Sequence, residues 1–234
     1  MTDNSLKFEP DAQVPVVYVV DDDAQTCRAV AELVRSFGHQ VCMYESPTDF
    51  LDNIDASQPG CVVLDLRLPG LDGLEVHQRL NQRSIALPVV LLTGYADTST
   101  TVRSLRNGAV AVLDKPFRDD ELWTCVQEGL QKSQREFRRQ HHLTSLETRL
   151  KRLAPQDRAV LQLMLEGMKN RSIAKRLDVS LRTVENRRRR IFEVMRADSV
   201  AQLTRMIVEY EHSLLPIADL QDNWLSLPFE KLAS

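Results

Sequence analysis

Apolar positions along this chain follow two rhythms. Up to about residue 118, short apolar runs alternate with segments whose apolar residues recur every three or four positions. Val16–Val20 is the first run, and residues 24–37 then place Val30, Leu33, Val34 and Phe37 on one helical face. Gly38 stands where a helix ends. Gln40–Tyr44 reads as a second strand, followed by Ser46 and Pro47 as the cap and first residue of a second helix. Residues 61–65 read as a third strand, with Leu74, Val76 and Leu80 on a third helix. Residues 88–92 form a fourth strand, Thr98–Arg106 a helix closed by Asn107 and Gly108, and residues 110–113 a fifth strand. Five apolar strands interleaved with helices predict an α/β domain, a doubly wound five-stranded parallel sheet covered on both faces. Ligands of such sheets bind beyond the carboxyl ends of the strands.

From residue 118 onward the pattern is helical throughout. Residues 130–151 are charged with sparse apolar positions, which suits a solvated linker helix. Leu143, Leu146, Leu150 and Leu153 have 3-4-3 spacing, short of two heptads, so an ordinary amphipathic helix is expected before a coiled coil. Residues 155–166 place Val160, Leu161, Met164 and Leu165 inward, and Gly167 follows. Asn170 is expected to cap a short helix over 171–177, and Ser180 a longer one from Leu181 to about Arg196. Two helices joined by a tight turn, the second of them basic, spell helix-turn-helix. The predicted organisation is an extension over 1–13, an α/β domain over 14–130, a helical linker over 131–149, an all-α helix-turn-helix domain over 150–212 and a tail over 213–234. The tail carries Leu214, Leu215, Ile217, Leu220, Trp224, Leu225, Leu227 and Phe229. It reads as packing on its own domain, with docking to a partner as the alternative.

Charge sharpens this division. Residues 1–125 hold 19 acids against 10 bases, while residues 126–234 hold 14 acids against 20 bases. The basic half is the candidate for nucleic acid. No apolar run approaches the 18 or so residues of a membrane span, and the acidic N-terminus has no signal-peptide pattern, so a cytoplasmic protein without membrane contact is expected. Cys27, Cys42, Cys61 and Cys125 are scattered without a CxxC pair, which excludes a zinc knuckle and predicts reduced, buried thiols.

The strand ends carry the chemistry. Asp21, Asp22 and Asp23 follow the first strand, Asp65 the third, Thr93 the fourth and Lys115 the fifth. Converging carboxylates repel one another unless a cation joins them, and hard oxygen ligands favour Mg²⁺. Thr93 can donate a hydrogen bond and Lys115 an ammonium, both suited to an anionic phosphoryl group. Phosphoryl transfer onto Asp65, at the end of the central strand, is the inference. A hydrolase with an aspartyl-phosphate intermediate would place a second Asp two residues on. Asp21 and Asp23 have that spacing, but Gln25 and Arg67 depart from such a pattern.

In the basic half, helical phase selects residues. With Val184 set to the core, Ile191 and Met195 fall within about 20° of it. Arg182, Asn186, Arg189, Arg190 and Glu193 then face outward, Glu185 lies on the flank, and Arg187 and Arg188 lie nearer the core edge, where long stems snorkel. Asn and Arg read base edges bidentately, while Arg182 and Arg190 at the rims suit phosphates. Arg171 and Thr183 complete the candidate DNA-binding set.

VVYVVDDD, VVLDLRLPGLDG, VVLLTGYAD and VLDKPF resemble the signature segments of response-regulator receiver domains. By that resemblance Asp65 is the phosphoacceptor, and Asp22, Asp65 and the backbone carbonyl of Arg67 are Mg²⁺ ligands. Asp21 completes the acid pocket through water, Thr93 is the switch hydroxyl, Lys115 pairs with the phosphoryl group, and the Lys115–Pro116 bond is cis. Arg67 and Tyr95 would flank the phosphoryl group. One departure is Val112, where the family usually has Tyr or Phe. NRSIAKRLDVSLRTVENRRRRI is similar to the DNA-binding domain of LuxR/FixJ-type regulators, with LAPQDRAVL at that family's LTxRExxVL pattern. Ala154 replaces its Ser/Thr cap, which weakens the first helix by about 1 kcal/mol. Asp157 replaces its Glu, and Arg187 its frequent His. The match makes Glu185, Asn186 and Arg189 groove-facing. Together the resemblances imply a histidine kinase that phosphorylates Asp65, homodimerisation through the fourth helix and fifth strand around residues 102–112, and DNA binding that responds to phosphate. Val112 motivates the alternative of a vestigial receiver whose DNA binding ignores phosphate.

Overall fold

The structure, a computed structural model, describes residues 14–94 and 98–214. The packing divides between Arg138 and Arg139 into two compact units.

In the first unit, strands β1 (Val16–Val20), β2 (Gln40–Tyr44), β3 (Gly60–Asp65), β4 (Val89–Thr93) and β5 (Ala111–Asp114) form one parallel sheet in the order β2-β1-β3-β4-β5. Helices α1 (Ala24–Ser36), α2 (Pro47–Asn53), α3 (Gly73–Gln82) and α4 (Thr98–Arg106) connect the strands, and α5 (Asp119–Arg152) follows β5. Strand alternation splits the core. Val16, Tyr18 and Val20 pack with Phe50, Leu74 and Leu80 on one face; Val17 and Val19 pack with Val30, Val34, Leu122 and Val126 on the other. The predicted cover on both faces holds for β1, β3 and β4, but not for β2. That edge strand leaves Cys42 and Met43 exposed, and Cys125 is half-buried, so only Cys27 and Cys61 are the buried thiols expected of all four.

Local signals explain the boundaries. Asp23 accepts from the backbone N–H groups of Gln25 and Thr26 and so caps α1, while Asp72 and Glu75 form a capping box on α3. Strand β3 starts at Gly60, one residue earlier than the sequence pattern suggests. A Cβ there would lie 2.5 Å from the Val16 carbonyl oxygen, so the strands meet closely only at glycine.

Helix α5 has 34 residues. Leu122, Val126 and Leu130 belong to the first unit's core, and buried Ser133 accepts from the Gly60 N–H at 2.9 Å. Leu146, Leu150 and Leu153 belong to the second core with Leu143 packed against it, as an ordinary amphipathic helix would place them. The stretch read as a solvated linker is thus anchored near both ends.

The second unit adds α6 (Pro155–Leu165), α7 (Asn170–Arg176), α8 (Leu181–Met195) and α9 (Val200–Leu214). Ala154 stands at the N-cap of α6 with no side-chain hydrogen bond. Asn170, expected as a cap, is instead the first residue of α7; Lys169 holds the cap position and its side chain makes no capping bond. Ser180 caps α8 through the Thr183 N–H at 3.1 Å. At the other end of α8, the Arg149 guanidinium donates to the Met195 carbonyl at 3.1 Å, a cation at the negative pole of a helix. The apolar tail noted above lies outside the described residues apart from the end of α9.

One buried group gives the first unit a pH response. His77 on α3 is 3% exposed, and its Nδ1 has no hydrogen-bond partner. Burial, with Lys132 adding to it, holds its pKa below the ordinary 6.5. The unfolded chain takes up this proton as pH falls through about 6.5 while the folded chain refuses it, so stability falls with pH. The loss is at most about 1.4 kcal/mol per pH unit. Thermal melting at pH 7.5 and 6.0 should show a smaller difference in His77→Leu than in the parent; equal differences would remove His77 as the cause.

Candidate phosphoryl and DNA sites

The sheet brings the predicted acids together. Asp21 and Asp22 follow β1, and Asp65 ends β3, the central strand. One ligand oxygen from each lies within 4.8 Å of the others, with Asp21 and Asp65 buried and Asp22 exposed. Asp23 turns away to cap α1, so three of the four acids converge. Lys115 Nζ lies 2.7 Å from Asp21 Oδ2 and 3.0 Å from Asp65 Oδ1. The Lys115–Pro116 bond is cis. Burial raises the Asp65 pKa above the ordinary carboxylate value, a push that the Lys115 hydrogen bond and charge only partly offset. Burial acts to lower the Lys115 pKa, yet its bonds to Asp21 and Asp65 raise it overall. Thr93 is buried at the end of β4. Behind the pocket, Gly73 packs so closely that a Cβ would lie 2.5 Å from the Asp65 carbonyl oxygen; only glycine leaves the end of β3 in place. A cavity of about 540 Å³ beside the carboxylates is lined by residues including Asp22, Arg67, Asp72 and Arg103.

The second site is the outer face of α8. Val184, Ile191 and Met195 are fully buried, which fixes the helical phase. Arg182, Glu185, Asn186, Arg189 and Arg190 are exposed, and Arg187 and Arg188 are half-buried as the phase requires. Arg188 lies 5.9 Å from the Phe192 ring centroid. Arg171 is exposed on α7 and, with Lys169, Glu185 and Arg188, lines a groove of about 730 Å³. Thr183 is half-buried and its hydroxyl lies 2.8 Å from that of Ser180, so the cap engages it.

Comparison with known proteins matches both units. Residues 17–127 match the response regulator receiver domain, and residues 151–207 match the bacterial regulatory proteins of the luxR family. The chain is 32% identical to the transcriptional regulatory protein FixJ of Bradyrhizobium diazoefficiens over 190 residues, 81% of this chain and 93% of that protein. It belongs to the FixJ-type response regulators. Nodulation protein W of the same organism is 35% identical, covering 82% of this chain and 84% of that one. The structure of response regulator StyR superposes with a TM-score of 0.79 at 33% identity, over 84% of this chain and 99% of that one.

A response regulator is a two-component transcription factor rather than a dedicated enzyme, which sets the hydrolase alternative aside. Membership implies a histidine kinase and DNA as partners. The carboxylate cluster can hold a metal ion, and no helix among the described residues is long and apolar enough to cross a membrane. Val112, which the sequence pattern made a buried residue, is half-buried on β5 against one face of the core. Tyr95 lies outside the described residues. Sequence reasoning named Asp157 only as a stand-in for a glutamate; it is 3% exposed on α6 and faces Arg187 and Arg190. The signal was available: an acid three and four residues before Val160 and Leu161 falls on the inward stripe of that helix.

Proposed function

We propose that Asp65 accepts a phosphoryl group from the partner histidine kinase, and that this modification controls DNA binding through α8. The observation that carries the reading is the convergence of Asp21, Asp22 and Asp65 beside Lys115, whose Nζ lies 3.0 Å from Asp65. All-oxygen donors on three acids fit Mg²⁺; Asp22, Asp65 and the Arg67 carbonyl would hold it, with Asp21 contributing through water. When bound, the ion offsets the negative charge that gathers around the transferring phosphoryl group. The Asp65 carboxylate attacks phosphorus as the P–N bond to the kinase's phosphohistidine breaks and the imidazole leaves; Lys115 pairs with a phosphoryl oxygen, and the Thr93 hydroxyl donates to another. Asp21 keeps Lys115 in place through their 2.7 Å contact.

The regulator acts in the cytoplasm, and phosphorylation assembles a homodimer through α4 and β5, where Val102 and Leu105 are 42% and 47% exposed. In the DNA complex, Asn186 and Arg189 read base edges with Glu185 beside them. Arg171, Arg182, Thr183 and Arg190 contact the backbone. The working boundaries are 14–130 for the receiver, 131–149 for a linker whose Leu143, Leu146 and Arg149 also pack on the second unit, and 150–212 for the DNA-binding domain. The deciding experiment measures labelling of Asp65 by a small-molecule phosphodonor with Mg²⁺, then DNA affinity and sedimentation with and without phosphate. Labelling with unchanged DNA affinity would favour the second reading, a receiver uncoupled from its output. Val112 supports that reading, since a valine lacks the ring that moves with the switch hydroxyl.

Arg67 and Tyr95, two residues after Asp65 and Thr93, are proposed to obstruct in-line water. Replacing both with Ala should shorten the phosphate lifetime severalfold, followed as loss of label after the donor is removed. Unchanged decay would end the shielding idea.

A further inference from the structure

Asp157 sits on the inward face of α6, 3% exposed, where a lone carboxylate would be costly. Two cations from α8 answer it. Arg187 Nη1 lies 3.7 Å from Oδ1, and Arg190 Nε lies 3.5 Å from Oδ2. The two arginines are not equivalent. The Arg187 side chain is 25% exposed and its terminal nitrogen faces the carboxylate, whereas the Arg190 side chain is 61% exposed and turns its Nε inward. A guanidinium seated by Nε keeps both Nη groups for another partner, and phosphate is the anion that such a planar fork fits. Arg190 stands one residue beyond Arg189 on the exposed side of α8.

We propose that Asp157 is a positioning residue for DNA binding: seated on Arg190 Nε, it aims the Nη pair of that guanidinium at a backbone phosphate. Arg187 supplies a second positive charge facing the buried carboxylate. Asp157 itself does not touch DNA. Its contribution is to remove rotamer freedom from a long side chain before DNA arrives, so less order is lost on binding. The proposal rests on α8 being the DNA-contacting helix. It also accounts for an acid inside a DNA-binding domain, close to the helix that must approach a polyanion. Both separations exceed a good charge-assisted hydrogen bond, and Asp157 Oδ2 has no hydrogen-bond partner. A glutamate, one methylene longer, can close that gap.

The test uses the full chain and a fluorescent random-sequence duplex, because a phosphate contact is independent of sequence. Anisotropy titrations across a salt series give affinity and its salt dependence. Asp157→Asn should weaken binding by about 3–10-fold and flatten the slope of log affinity against log salt by up to about one unit per protomer, as Arg190→Ala does. In the Asp157→Asn/Arg190→Ala double variant the two losses should not multiply, and Asp157→Glu should restore parent affinity. Losses that multiply, or a loss with an unchanged salt slope, overturn the proposal and leave Asp157 a residue of folding alone. Should Asp157→Asn melt below the assay temperature, Arg190→Lys carries the test. It keeps the charge but has no Nε to seat on Asp157, so the same weakening is expected, and full affinity overturns the proposal. If Arg182→Ala and Arg190→Ala both leave DNA binding intact, the reading of α8 fails instead.

Discussion

Asp65→Asn should leave the chain folded and reduce phosphate uptake from a small-molecule donor to background. The amide is close to the carboxylate in shape, so the ends of β1, β3 and β5 keep their arrangement. Its nitrogen and oxygen are far poorer nucleophiles, and it removes one anionic metal ligand from the three-carboxylate cluster. Chelation of divalent metal should abolish labelling in the parent as well. Intact-mass measurement after incubation with donor and Mg²⁺ checks both arms. If Asp65→Asn gains phosphate as the parent does, the acceptor lies elsewhere, and Asp21 and Asp22 are the first places to look.

The second large effect is expected on α8, where Asn186→Ala should change base preference and Arg182→Ala should not. A good bidentate contact to a base edge discriminates by about 1–3 kcal/mol. Loss of Asn186 should therefore flatten the preference among sites selected from randomised duplexes, while affinity for random DNA stays near that of the parent. Arg182→Ala should weaken selected and random DNA alike and reduce the salt slope by about one unit, or nearly two in a dimer. Burial of Val184, Ile191 and Met195 leaves little freedom in the helical phase behind this assignment. Preserved preference in Asn186→Ala, with lost preference in Arg182→Ala, would reverse the two roles.

The parts of this protein legible from sequence are those where one local signal dominates. The ends of β1 and β2 coincide with the pattern because apolar runs stop abruptly at Asp21 and Glu45, and α4 ends at Arg106, just before the Asn107-Gly108 pair that closes it. The acid pocket was legible because strand ends in a parallel sheet share one edge. What failed was tertiary. Gly60 reads as a strand breaker, and only the carbonyl of Val16 opposite explains its place in β3. The exposure of Cys42 follows from β2 being an edge, which composition does not reveal. Asp23 and Asp21 look interchangeable in a run of three acids, yet one caps a helix and the other meets Lys115. Asp157 was read as a substitute for a family glutamate, although its inward phase already called for a buried cation.

The way α5 ends determines where the chain can be severed. The luxR-family match begins at residue 151, and sequence grounds alone would put a cut at that point. Such a cut would discard Leu146 and Leu150, which are 1% and 2% exposed in the second core, along with the Arg149 guanidinium that closes α8 at Met195. Truncating a buried leucine costs about 2–5 kcal/mol, and two of them approach the whole stability of a small domain. The second compact unit begins upstream, at Arg139, so a piece that starts at residue 151 should melt well below one that starts at 139, whatever its affinity for DNA.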